Sequence, residues 1–299
     1  MSAQDTYEAY YVPHNSKLPI FASLGIFLTV FGVGNILNGM THQTGDTLGV
    51  WILLFGGLVM GTTLFYWFAA VIEENHKKLY SDQMHRSYVW GMSWFIFSEV
   101  MFFAAFFGAL FYIRFFNVEW LAGEGNRGPT DMLYPDYAPN WPMLNLPDPT
   151  AFTAPKEFIS PWGLPLINTI LLVTSSFTVT FAHHGIKDGS RKKIIGWLAA
   201  TIVLGLVFLG VQGYEYYHAY HELGLTLASG IFGTTFFMLT GFHGAHVTIG
   251  TFMLIVMFFR ALKGHFSHDD CFGFEATSWY WHFVDVVWLG LFIFVYVLA

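Results

Sequence analysis

The stretch Gly273–Phe292, GFEATSWYWHFVDVVWLGLF, decides how this chain is read. It is long enough to cross a bilayer, which takes about 20 apolar residues. Phe274, Phe283, Trp288 and Phe292 flank the run Trp279-Tyr280-Trp281. Yet Glu275, His282 and Asp285 fall on the same helix, the last two three residues apart on one face. Ionisable groups are costly in hydrocarbon and are kept where they face protein, water or a polar ligand.

Working outward, 55% of the 299 residues are hydrophobic and 11% charged, whereas a soluble domain carries about 25% charged residues. The chain is therefore an integral membrane protein. Its net charge of -7 argues against a nucleic-acid partner. A single cysteine, Cys271, rules out an internal disulfide and an all-thiolate cluster. The N-terminal MSAQDTYEAYYVPHNSK is acidic and polar, which is not the pattern of a cleaved signal or transit peptide.

Apolar runs predict seven spans near 19–39, 48–72, 92–116, 161–183, 194–217, 227–258 and 274–298. Pro19 and Pro161 suit first helical turns. Gly39, Gly45-Asp46, Gly185 to Gly189 and Gly264 to Gly273 suit breaks between spans. With the N-terminus inside, the inner side receives Lys17, Lys77, Lys78, Arg86, Lys187, Arg191, Lys192, Lys193, Arg260 and Lys263. The outer side receives only Arg114, Arg127 and Lys156. This bias predicts an inner N-terminus and an outer C-terminus. The segment at about 117–160 holds Pro129, Pro135, Pro139, Pro142, Pro147, Pro149 and Pro155, and reads as an extended outer loop. No repeat of 20 to 50 residues is visible.

Several polar groups lie inside these spans. Glu99, in WFIFSEVMFF, suits either a site that touches protons or a lipid head group, or an acid hydrogen-bonded to Ser98, a backbone carbonyl or a neighbouring helix. His243 and His246 share a face of the sixth span; two imidazoles can begin a metal site, but the glycines around them favour close helix packing. Gln212 and Glu215 share a face of the fifth span and read as a structural hydrogen-bond network. Arg260, Lys263 and His265, in FFRALKGHF, form a basic rim where anionic head groups lie, a pattern that ordinary positive-inside anchoring also produces. Gly57 and Gly61 make a GxxxG pair, with Gly32, Gly34, Gly49 and Gly56 adding small surface for a hairpin of the first two spans. There is no CxxCH haem attachment, no dinucleotide loop and no P-loop.

Nearly the whole chain resembles the subunit III family of the haem–copper oxidases. The resemblance rests on RSYVWGMSWFIFSEVMFF (Arg86–Phe103), LLVTSSFTVTFAHHG (Leu171–Gly185), GVQGYEYYHA (Gly210–Ala219), GFHGAHVTIG (Gly241–Gly250), FFRALKGHF (Phe258–Phe266) and FGFEATSWYWHFVDVVW (Phe272–Trp288). It implies an all-α membrane fold of seven helices in two bundles. Residues 1–75 would form the N-terminal segment and a two-helix bundle, and residues 76–299 a five-helix bundle carrying the outer loop. A V-shaped cleft between them would hold phospholipids, near Glu99, Trp67 and the rim of Arg260, Lys263 and His265. Glu275, His282 and Asp285 match the family's pattern in the last helix, and His243, His246, Gln212 and Glu215 would be buried structural groups.

The resemblance further implies no catalytic residue, metal or cofactor in this chain; haem and copper would be held by the catalytic partner, subunit I, with subunit II in the same complex and phospholipids bound. The family supports proton uptake, stability and assembly of a proton-pumping cytochrome c oxidase. Subunit III of a quinol oxidase is the alternative. A proton-coupled transporter using Glu99 and Asp285, or a metal enzyme using His243 and His246, is more remote. The long loop tilts the location to a bacterial plasma membrane, with the mitochondrial inner membrane as the alternative. The sequence departs from the family at Trp67–Asn75, WFAAVIEEN, where alanines replace an Arg-Asp pair, and in a following loop that keeps only His76 and His85.

Overall fold

The computed structural model describes residues 11–12, 15–42, 47–124, 128–130, 132–267 and 271–299. The expected turn at Gly45-Asp46 and Arg127 lie outside them. Seven helices among the described residues are long and apolar enough to cross a membrane. They are α1 (Leu18–His42), α2 (Leu48–His76), α3 (Asp82–Leu121), α4 (Leu164–Lys187), α5 (Arg191–His221), α6 (Gly230–Lys263) and α7 (Phe272–Val297). The backbone groups into two compact units, Met1–Gly91 and Met92–Ala299.

In the first unit α1 and α2 pair through glycine. A Cβ at Gly32 would stand 2.5 Å from the backbone nitrogen of Leu53, and one at Gly56 2.6 Å from that of Thr29. Gly25 and Gly49 are nearly as close to Met60 and Ile36. Gly25 and Gly32 are seven residues apart, as are Gly49 and Gly56, so each pair stays on one face through two turns. Gly57 and Gly61, the expected GxxxG pair, meet nothing within 4 Å. The reason is angular: the position after Gly56 is turned about 100° from it. Gly39 does not end α1, which continues to His42.

In the second unit α3 passes through a π turn at Ile113–Asn117 and stays helical to Leu121. The irregular loop therefore begins later than position 117. Pro161 lies in a turn ahead of α4, and Pro165 takes the first-turn position instead. The loop is tied down by Lys156 N–H, which donates to the Leu223 carbonyl at 2.9 Å. Asp148 accepts from the Thr150 hydroxyl and from the Thr150 and Ala151 amides, and these bonds hold its carboxyl below the ordinary range.

Helices α4 and α5 turn at Gly189, which takes φ +65°, a left-handed conformation that favours glycine. Gly264, at φ +74°, ends α6 in the same way. At that helix end the Arg191 guanidinium donates to the carbonyls of Ala261 and Leu262, the first of which also accepts from the Gly264 amide.

Helix α7 is the centre of this unit. Trp281 and Trp288 are fully buried. Their indole N–H groups donate to Ser175 Oγ at 2.9 Å and Thr169 Oγ1 at 3.0 Å, both on α4. The Trp281 ring lies where a Cβ at Gly205 (2.8 Å) or Gly250 (2.9 Å) would be. One ring thus packs α4, α5 and α6 around α7. Flat rings against bare backbone give the close contact that holds helices together in lipid.

Candidate functional site: paired polar groups within the helices

Glu99 on α3 and His246 on α6 meet at 2.9 Å between Oε2 and Nε2. They sit in a box of rings. Phe103 lies 5.0 Å from the imidazole centre, Phe102 5.9 Å, and Tyr280 and Phe283 6.4 Å each. His246 Nδ1 is 2.6 Å from the Phe242 carbonyl. A carbonyl only accepts, so Nδ1 carries a proton. The contact with Glu99 then needs one more, borne by either Nε2 or the carboxyl. The pair is net neutral in both cases, which suits an apolar box.

His243 is three residues away yet differently engaged. Its Nε2 donates to the Val284 carbonyl at 3.1 Å, and its ring lies 5.1 Å from Trp288 and 5.8 Å from Phe208. The two imidazoles therefore serve separate partners.

Glu275 pairs with His183 Nε2 at 3.2 Å, and the Cys271 thiol points to the same carboxylate oxygen at 3.7 Å. Among the described residues these three form the group whose donor atoms come close enough for a metal, within 4.8 Å of one another. Imidazole, thiol and carboxylate suit zinc. Sequence reading missed His183 as a partner, although AHHG places two imidazoles at the end of α4 where Glu275 begins α7.

His282 Nδ1 lies 2.7 Å from Ser176 Oγ and 3.8 Å from Asp285 Oδ2, and its Nε2 is 3.5 Å from Thr180 Oγ1. Asp285 is buried, and neither of its oxygens has a hydrogen-bond partner among the described residues.

Towards the other end of the bundle the Tyr296 hydroxyl donates to Glu215 Oε1 at 2.7 Å, and Asn168 Nδ2 donates to Gln212 Oε1 at 3.4 Å. Asn168 and Tyr296 were not singled out from sequence; the only signal was that Gln212 and Glu215 needed partners.

Arg260 lies at the end of α6 with its guanidinium 4.9 Å from the centre of the Phe266 ring. A Cβ at Gly273 would stand 2.7 Å from its Nη1. Lys263 is exposed and His265 half-buried beside it. Trp67, on α2, is 52% exposed and stacks on Phe68 at 6.4 Å. Where alanines interrupt the α2 end, Lys77 pairs with Glu73 at 2.6 Å and the Tyr80 hydroxyl donates to Glu74 at 2.8 Å.

Seven apolar helices among the described residues, with embedded polar groups that include the acid–imidazole pairs Glu99–His246 and Glu275–His183, define a polytopic, all-α membrane protein. The family model described as cytochrome c oxidase subunit III matches residues 144–299. Proteins named cytochrome c oxidase subunit 3 are similar along nearly the full length. The one from Arabidopsis thaliana is 37% identical over 293 residues, 96% of each chain. Those from Cyprinus carpio and Mammuthus primigenius are 37% and 38% identical, again over 96% of each chain. This chain belongs to the cytochrome c oxidase subunit III family.

Proposed function

We propose that this chain is a non-catalytic, lipid-binding core subunit of a proton-pumping cytochrome c oxidase. Haem and copper reside in subunit I, beside which this chain and subunit II assemble. The observation that carries the reading is the engagement of His243 and His246 by separate protein groups. It supports a packing role for His243 and a carboxylate-pairing role for His246. The chain then acts on its neighbour by packing, by bound lipid and by proton exchange at the inner face, and it assists assembly.

The lipid head group is held by the rim of Arg260, Lys263 and His265. A guanidinium fixed over Phe266 and the exposed Lys263 ammonium at a membrane surface both attract phosphate. Glu99 contributes from α3 by holding His246, with the surrounding rings offering apolar wall to acyl chains.

The test is the double variant Glu99→Gln with Arg260→Leu in the purified complex. Loss of one basic group near the surface is worth about 1 kcal/mol, or roughly fivefold in retention of anionic lipid. Lipid content should fall and the active lifetime during turnover should shorten; unchanged lipid and lifetime would count against the reading. Gly273→Ala is a milder probe of the rim. The new methyl meets only the flexible end of Arg260, so stability should change by less than about 0.5 kcal/mol. Bound anionic lipid should nonetheless decline, as measured by mass spectrometry of the extracted complex.

A further inference from the structure

We propose that the seam between α4 and α7 centred on His282 docks a transmembrane helix of a partner subunit, one that offers a hydrogen-bonding side chain to this imidazole. The inference rests on the reading of the chain as a subunit and adds the face by which it is held.

His282 lies ten residues into α7, about 15 Å along a helix of 26 residues. That is mid-span, beyond the reach of head groups. Its side chain is 39% exposed, against 13% for His246. Nδ1 is spent on Ser176, while the contact of Nε2 with Thr180 is at the outer limit of a hydrogen bond. Behind the ring stands Asp285, whose oxygens lack donors among the described residues. An imidazole edge of this size facing acyl chains would leave polar capacity unmet, and hydrocarbon supplies no partner. A helix with a Ser, Thr, Asn, Gln or His side chain supplies one, as is common between membrane helices.

The stripe does not end at His282. One turn onward along α4 from Thr180, and two turns back along α7 from His282, stand His183 and Glu275, bonded at 3.2 Å with side chains 24% and 31% exposed. The polar line thus follows the α4–α7 groove from mid-span toward the basic end. Large exposed apolar side chains border it: Phe177 on α4, and Trp279 and Val286 on α7. A narrow polar line between apolar knobs fits a packed helix. A phospholipid would set its tails, not its head group, against His282.

The experiment uses the intact oxidase with a photoreactive p-benzoylphenylalanine at Val286, and separately at Phe252, an exposed position on α6. Illumination at position 286 should join the chain to a membrane peptide of another subunit, and at position 252 to lipid. His282→Leu should reduce the first cross-link severalfold and release the chain from the complex at lower detergent concentration. Lipid adducts alone at position 286, or a cross-link to a second copy of this chain or to its own α1 or α2, would overturn the proposal while the chain still co-purifies with haem. Failure to co-purify with haem at all would overturn the subunit reading with it.

Discussion

Trp281→Ala is expected to destabilise the second unit by about 3 kcal/mol, at the lower end of the range for emptying a buried tryptophan site. The ring is fully buried and its edge fills the space left by Gly205 and Gly250. Its N–H also reaches Ser175 across the α4–α7 contact. In a bilayer the transfer of apolar surface contributes little, because acyl chains are as apolar as the protein interior. The loss therefore comes from the cavity and the forfeited dispersion contacts of three helices at once. Thermal denaturation of the purified complex should show an earlier transition. Trp281→Phe should recover part of it by refilling volume without the hydrogen bond. An unshifted transition in the alanine variant would remove Trp281 from its place as the central packing residue.

Gly56→Leu is expected to separate α1 from α2. A first side-chain carbon there would lie 2.6 Å from the Thr29 nitrogen and 2.9 Å from the Leu28 carbonyl carbon. Both are backbone atoms, so no rotamer change relieves the clash and the helices must move apart. Overpacking of this kind costs about 1–3 kcal/mol. The reading is sharpened by Gly57→Leu, one residue on, where a side chain meets nothing. Amide hydrogen exchange along α1 should rise for the first variant and stay near that of the parent for the second. Equal exchange in both would mean that the glycine face does not set the distance between these helices.

That contrast shows where sequence reading reaches its limit. Seven spans were legible because length and apolarity are properties of each segment alone. Glycine in α2 was legible too, but not which glycine touches α1, since the 100° step between Gly56 and Gly57 matters only once a partner helix is placed. Glu99, His243, His246, Glu275, His282 and Asp285 were conspicuous because ionisable groups in apolar runs stand out. Their partners were not. His246 is 147 residues from Glu99, and Ser176 and His183 are ordinary near a helix end until α7 is laid beside α4. The boundary of α3 was misjudged at both ends because polar side chains at its start and a π turn near its finish hide a helix that backbone bonding continues.

Composition and periodicity by themselves determined that this polypeptide lives in a membrane as seven helices, and the aromatic-rich motifs determined its kinship, because a bilayer selects residues one segment at a time. Tertiary structure alone decided that Glu99 belongs to His246, that His243 belongs to α7, and that Trp281 rather than any glycine motif organises the second unit. Hydrogen bonds and ring contacts act over about 3 to 6 Å, so they are fixed only when distant segments have been brought together.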